Sequence, residues 1–337
     1  MTMTLFDLSS RMNDLSKHGD PLERLNKVID WKLFLPIINM AFYKVRKSAA
    51  GRKPYNRVIM FKVLVLQSLY NLSHAQTEYQ IKDRLSFMRF LEVSIENPVP
   101  DEKIIWAFRE VLERLFMKLD EYLASEGLRA KLGVIVDASL IEAPRRRNSK
   151  DDNDKIKQGE IPKSFMEQPA KLRQKDVDAR WTIKGGQRHY GYKNHIAIDP
   201  VFKLIRGFEV TSDNVGDIRC LEPLLKAMKL QEDKAVWADG AYYLQVMEQT
   251  LKIHSWRSKI VTRFRLHDPE CSERARENSR RSKVRVRVEH VFGFMENSMH
   301  HKLIRSIGLI RAKAKITLMN LTYNLCRYEQ LQRIGAS

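Results

Sequence analysis

Three carboxylates stand where metal-assisted phosphoryl chemistry would use them: Asp137, Asp239 and Glu289. Asp137 ends the apolar, β-branched run Leu132-Gly-Val-Ile-Val-Asp137, which reads as a central strand. A lone charge there costs several kcal/mol unless it is paired. Asp239 repeats the pattern in Ala235-Val-Trp-Ala-Asp-Gly240, a strand followed by a sharp turn. Two strand-end aspartates of one sheet point into the same small volume and repel unless a cation separates them. Oxygen-only ligands select Mg²⁺, or Mn²⁺ as its substitute, over zinc. Two such ions, about 3.5–4 Å apart, activate an attacking hydroxyl and stabilise a leaving oxygen. Asp137, on the more central strand, is then the expected bridge between them. Glu289 belongs to Val284-Arg-Val-Arg-Val-Glu-His-Val-Phe-Gly-Phe-Met-Glu-Asn297, where Val284, Val288, Val291 and Met295 form a core stripe at helical spacing. Alternation over 284–288 also suits a strand, but the period beyond Glu289 is helical. Arg285 lies one turn before the acid. Taken singly, each aspartate is as readily a cap or a salt-bridge partner; it is the trio that points to catalysis.

The elements that must position these groups fall into two regions. Residues 1–128 read as all-helical: Asp20-Pro21 opens a helix carrying Leu22, Leu25, Val28 and Ile29; Val58 to Tyr70 is long and apolar enough to be buried; Ser73 caps a run through Tyr79, Ile81, Leu85, Met88 and Phe90; and Asp101 caps a helix with Ile105, Phe108, Leu112, Leu115 and Leu119. Gly51 to Asn56 is a basic turn, and Pro98-Val-Pro100 breaks the chain. Residues 129–337 change character. After the first strand, the hydrophilic stretch from Pro144 to about Arg180 is expected to be a basic, flexible loop. Tyr192–Asp199 and Lys203–Val210 predict a hairpin around Pro200, followed by a helix over 217–229, the Asp239 strand, a helix over 241–252 and a short strand over 258–262. Helices fill most of 284–333. The resulting order, β-β-β-α-β-α-β-α, is that of a mixed α/β sheet of ribonuclease H-like type.

Composition narrows the partners. Sixty Lys and Arg against 41 Asp and Glu give a formal net charge of +19, which favours a polyanion, nucleic acid before an anionic membrane. No uncharged apolar stretch reaches the ~18 residues of a spanning helix. The start, Met1-Thr-Met-Thr-Leu-Phe-Asp7, lacks the basic head and apolar run of a secretory signal. Cys220, Cys271 and Cys326 are too scattered for a zinc site or a disulfide framework and suit a reducing cytosol. The segment from Arg257 to Arg287 is rich in arginine; such runs are usually solvated faces, but Arg281, Lys283, Arg285 and Arg287 lie beside the third acid, where contact with phosphates is the favoured reading. Lys193 and His290 are further candidates for DNA contact; Trp237 reads as core, and His189 and Tyr190 carry no assignment.

Together these segments resemble the cut-and-paste DDE transposases of bacterial insertion sequences, in particular the insertion-sequence-five group. The likeness is carried by Gly51-Arg-Lys-Pro-Tyr55 with Leu69-Tyr-Asn-Leu-Ser73, by Pro100-Asp101 with Trp106-Ala-Phe-Arg109, by Val136-Asp-Ala-Ser139, by Ala238-Asp-Gly-Ala-Tyr242, and by Arg285 and Glu289 read with His290 and Phe292. Gly191 to Asp199 and Leu321 to Leu325 extend it. The resemblance implies a ribonuclease H-like catalytic core behind a helical DNA-binding and dimerisation domain. It implies a homodimer on double-stranded DNA, with the element's terminal inverted repeats and a target duplex as substrates. Water nicks the end, the freed 3′-hydroxyl attacks the target, and neither a protein–DNA covalent link nor a nucleotide takes part; no phosphate-cradling GxxxxGK loop occurs in the chain. A bacterial cytoplasmic, nucleoid-associated location follows. One departure stands out: where the related motif carries a tyrosine before the arginine and a lysine after the glutamate, this chain has Ser282 and Glu296, leaving Lys283, Arg287 or Lys302 to replace the lysine. The competing classes are a structure-specific nuclease of the same fold and a non-catalytic, transposase-derived repressor; the retained acids argue against the latter.

Overall fold

Strand β1 (Gly133–Glu142) is the apolar run that ends at Asp137, extended by five residues. In the computed structural model, which describes residues 5–42, 56–94, 108–129, 132–146, 148–262 and 271–335, β1 lies inside a six-stranded mixed sheet. On one side it pairs antiparallel with β3 (Gln187–Ile198), from Ile135 opposite Ile198 to Glu142 opposite Gly191. On the other it pairs parallel with β5 (Ala235–Trp237), which pairs parallel with β6 (Arg257–Ser258). Strand β4 (Ile205–Ser212) returns antiparallel along β3, giving the hairpin around Pro200. Strand β2 (Arg180–Lys184) is an addition to the expected order: it pairs with the first half of β3 across the two-residue turn Gly185-Gly186, whose φ values of +57° and +78° suit a tight hairpin. At Gly133, with φ +129°, a Cβ would fall 1.9 Å from the Ala235 carbonyl oxygen.

One face of this sheet is closed by apolar packing. Val134, Val136, Ala197, Val236 and Ala238 meet Leu221, Leu224 and Leu225 of the helix Ile218–Ala227, together with Leu251, Trp256 and Ile260. Alternation along the strands therefore turns Ile135, Asp137 and Trp237 to the opposite face. Residues 150–157, 163–166 and 169–172, expected to be flexible loop, form short helices instead. Buried Ile156 and Phe165 anchor them, and Asp176 accepts hydrogen bonds from the Tyr192 hydroxyl at 2.8 Å and from the amides of Ala179 and Gly308 at 2.9 and 3.0 Å. Two apolar anchors and one buried carboxylate suffice to order a segment whose composition reads as solvated.

The chain divides into two compact units, Met1–Gly127 with Thr317–Ser337, and Leu128–Ile316. The closing segment thus groups with the N-terminal helices rather than with the sheet, as a boundary at 129–337 would have it. Among the described residues of the first unit every element is helical. Asp20 caps the helix Pro21–Val28 through the Leu22 amide, and Ser73 and Gln76 make a capping box at His74–Asp83. The run expected to continue through Phe90 breaks at Arg84, whose extended backbone separates His74–Asp83 from Leu85–Leu91. Trp31, Phe34, Phe61 and Phe90 pack edge-on or tilted in the core, and the one ammonium among them, Lys62, is satisfied by Glu92 at 2.6 Å and the Phe90 carbonyl at 3.1 Å. The turn at 51–55, the Pro98–Pro100 break and the cap at Asp101 lie outside the described residues, as does 263–270 within the basic segment. Among the described residues no single helix is long and apolar enough to cross a membrane.

Candidate active site

The parallel register of β1 and β5 sets Ile135 opposite Trp237. Asp137 lies two residues further along β1, and Asp239 follows two residues beyond Trp237, past the end of β5. Neighbouring strands are about 4.8 Å apart, which puts the two aspartates on adjacent chain segments. Asp137 is mostly buried. Its Oδ1 accepts the Ala138 amide at 2.8 Å, and its Oδ2 accepts Arg285 Nη1 at 2.9 Å. Burial pushes its pKa above the usual carboxylate value; the Ala138 amide and Arg285 oppose that rise, and the charge of Glu289 adds to it. Asp239 is exposed and begins the single 3₁₀ turn Gly240–Tyr242, its backbone carbonyl taking the Tyr242 amide at 3.0 Å. Its carboxylate makes no capping hydrogen bond.

Glu289 reaches the site from a helix, as its spacing predicts. Cys271–Arg285 and Arg287–Gly293 follow one another with a bend at Val286, and Val288, Val291 and Met295 are buried. A five-residue π turn, Phe294–Ser298, continues the second helix and carries Glu296. Arg285 Nη1, bound to Asp137, also lies 3.6 Å from Glu289 Oε1, so one guanidinium links the first and third acids. Among the described residues no group of three or more His, Cys, Asp or Glu side chains lies close enough to hold one ion. Arg285 supplies the positive charge between Asp137 and Glu289, and Glu289 remains largely in solvent.

The basic candidates separate. Lys283 and His290 are exposed on the helices around Glu289. Lys193, Arg281 and Arg287 are instead tied to the protein. Lys193 Nζ donates to Asp217 Oδ1 and the Val215 carbonyl, both at 2.8 Å; Arg281 bonds the Ile260 carbonyl and Glu277; Arg287 Nη1 donates to the Pro200 carbonyl at 2.6 Å. Their charge is taken up by local carbonyls and carboxylates that sequence spacing does not reveal. Lys302, considered as a replacement for the missing lysine, lies 4.0 Å from Glu296 itself. His195, two residues beyond Lys193 on β3, is fully buried with Nε2 2.9 Å from Thr211 Oγ1.

Tyr242 was legible only as part of a motif. It is 1% exposed, and its hydroxyl has no hydrogen-bond partner. Burial raises its pKa well above the usual phenol value, helped by the charges of Asp137, Asp217, Cys220 and Asp239. A phenol that feels both aspartates lines the floor beneath them.

Residues 129–325 match the family described as "Transposase DDE domain", and residues 10–111 match "Transposase domain (DUF772)". Two solved structures align at 11% identity: a piggyBac transposase synaptic complex with hairpin DNA, covering 94% of this chain and 76% of that one at a TM-score of 0.46, and the Mos1 strand transfer complex, covering 80% and 85% at a TM-score of 0.20.

Proposed function

From the premise that this chain belongs to the transposase DDE-domain family, as a match over more than half its length shows, we propose that Asp137, Asp239 and Glu289 are the metal-binding acids of its active centre. The protein is a DNA transposase, an enzyme of metal-dependent strand cleavage and strand transfer. The observation that supports the assignment of residues is the register of β1 and β5: Asp137 comes two residues after Ile135, and Asp239 two residues after its partner Trp237.

The residues fit divalent metal by donor chemistry. All three are carboxylates, the set that Mg²⁺ and Mn²⁺ prefer. Asp137 sits where burial disfavours its charge, so a cation beside it would be stabilising. Ions held by these acids would activate the attacking water or 3′-hydroxyl and neutralise the leaving oxygen. Arg285 opposes the burial that disfavours the Asp137 charge, holds its carboxylate by a 2.9 Å bond and lies 3.6 Å from Glu289. The buried Tyr242 and the apolar packing beneath β1 and β5 close the floor of the site to water. Mg²⁺ as the ion, two ions as the number, a ribonuclease H-like type for the sheet, a homodimer in the DNA complex, the terminal inverted repeats as substrate and membership of the insertion-sequence-five group complete the reading.

The test is cleavage of a labelled duplex carrying the terminal repeat that flanks the coding sequence, in Mg²⁺, Mn²⁺, Ca²⁺ or EDTA, beside Asp137→Ala and Glu289→Ala. A nick at the end and joining to plasmid are expected in Mg²⁺ or Mn²⁺ alone, with both variants binding but at least 10³-fold slower, the scale (about 4 kcal/mol) of losing a principal transition-state stabiliser. Cutting that survives both substitutions would place the active site elsewhere.

A further inference from the structure

Strand β3 carries a second feature of the same sheet face. Asp137 is opposite Ile196, and residues two, four and six earlier on β3, namely Asn194, Tyr192 and Tyr190, share that face. Tyr190 is opposite Trp181 and Arg188 is opposite Ile183, so the β2–β3 hairpin prolongs the acid-bearing face with Trp181, Ile183, Arg188 and Tyr190. Trp181 and Ile183 are 50% and 69% exposed, uncommon for large apolar groups on a strand. Trp181 packs against Tyr190 with ring centroids 5.1 Å apart. Over its indole, at 5.3 Å, lies the guanidinium of Arg145, which Glu142 holds at 3.3 Å. Lys184 and Arg188 flank the Gly185-Gly186 turn and are exposed; Arg188 shares the face of Trp181, whereas Lys184, opposite Gln187, is at the tip on the other face.

We propose that this hairpin is a DNA-contacting arm, in which Trp181 and Ile183 supply an apolar surface and Arg145, Lys184 and Arg188 meet backbone phosphates, on the duplex that the acids cut. The inference rests on the transposase reading and adds to it the place of contact. Charge complementarity selects the partner: cations on an exposed aromatic platform suit a phosphate backbone with its sugars.

The measurement is the salt dependence of binding to a random-sequence 30-base-pair duplex in EDTA, for the wild type, Lys184→Ala/Arg188→Ala, Trp181→Ala and the charge-preserving Lys184→Arg/Arg188→Lys. Each lost phosphate contact lowers the slope of log K against log salt by about 0.9, so the double alanine variant should lose about two and bind roughly 10-fold or more weakly near 0.1 M salt. Trp181→Ala, which frees Arg145, should weaken binding about 5-fold, on the scale of one aromatic contact. The charge-preserving variant should bind as the wild type does, which separates loss of contact from loss of the hairpin's fold. On an end-bearing duplex, some of the phosphates whose ethylation interferes with wild-type binding should no longer interfere with the double alanine variant. Unchanged slopes with an unchanged interference pattern would overturn the arm while leaving the active centre intact. A wild type that binds with the expected slope but never cuts would overturn the active centre and leave the arm.

Discussion

Two buried groups beside the Lys193–Asp217 ion pair titrate in opposite senses, and substituting either should expose the other. Asp213 is 1% exposed with neither carboxylate oxygen hydrogen-bonded. Burial first, and then the charges of Glu142 and Asp217 against that of Lys193, raise its pKa from 3.8 to about 7. His195 is fully buried, with Nδ1 unpartnered, and burial lowers its pKa from 6.5 to about 4. Folded Asp213 binds its proton more tightly than the unfolded chain does. Its contribution to stability is therefore fully present below pH 4 and is lost as pH rises to about 7. Folded His195 binds its proton less tightly, so its contribution is lost as pH falls through the same range and complete above pH 6.5. At 1.36 kcal/mol per pKa unit, the first amounts to at most about 4 kcal/mol and the second to at most about 3 kcal/mol.

In the wild type these nearly cancel. Asp213→Asn should uncover a stability that rises between pH 4.5 and 6.5, and His195→Gln one that falls between pH 4.5 and 7. The assay is thermal unfolding of each protein across pH 4.5–8.5, compared with the wild type at each pH. A change of 1 kcal/mol moves Tm by roughly 2–4 °C for a unit of this size, so divergences of about 5 °C or more are expected at the ends of the range. Any cost of the new amide is the same at every pH, and the change in slope isolates the titration. Parallel profiles for wild type and both variants would refute the reasoning and show that Asp213 and His195 keep ordinary pKa values when folded.

Two further outcomes follow from the site. Gly133→Ala combines φ +129° with a Cβ 1.9 Å from the Ala235 carbonyl oxygen; it should break the β1–β5 pairing, costing about 3 kcal/mol or more in an unfolding experiment and abolishing cleavage with it, because that pairing puts the aspartates on adjacent chain segments. Arg285→Gln removes the 2.9 Å charge-assisted bond to Asp137 and leaves burial less opposed, so stability should fall by about 1–3 kcal/mol and the acid limb of the cleavage–pH profile should move to higher pH, as measured by single-turnover cleavage at pH 5.5–8.5.

What the chain discloses before folding, and what it withholds, divides along a physical line. The strands behind Asp137 and Asp239 were legible because strand patterning is local, although β1 runs five residues past Asp137 and β5 ends two residues before Asp239. Their alignment was not, because register depends on which backbone groups meet, and it is Gly133, without a Cβ, that lets β5 come close enough. The helix of Glu289 was legible from its period, whereas the grip of Arg285 on Asp137 joins residues 148 apart in sequence. Charge runs mislead for the same reason. Arg281, Arg287 and Lys193 look free in the sequence, yet carbonyls and carboxylates that meet them only in the fold hold them inward. The β2–β3 hairpin is the reverse case. Its signal, two glycines between strand-forming runs in Trp181-Thr-Ile-Lys-Gly-Gly-Gln-Arg-His-Tyr190, was present but masked by a hydrophilic neighbourhood that reads as loop. A polar segment that forms strands without a core of its own, and leaves Trp181 in solvent, is held by cross-strand pairing and by the Asp176 anchor, so its exposed surface is available for a partner.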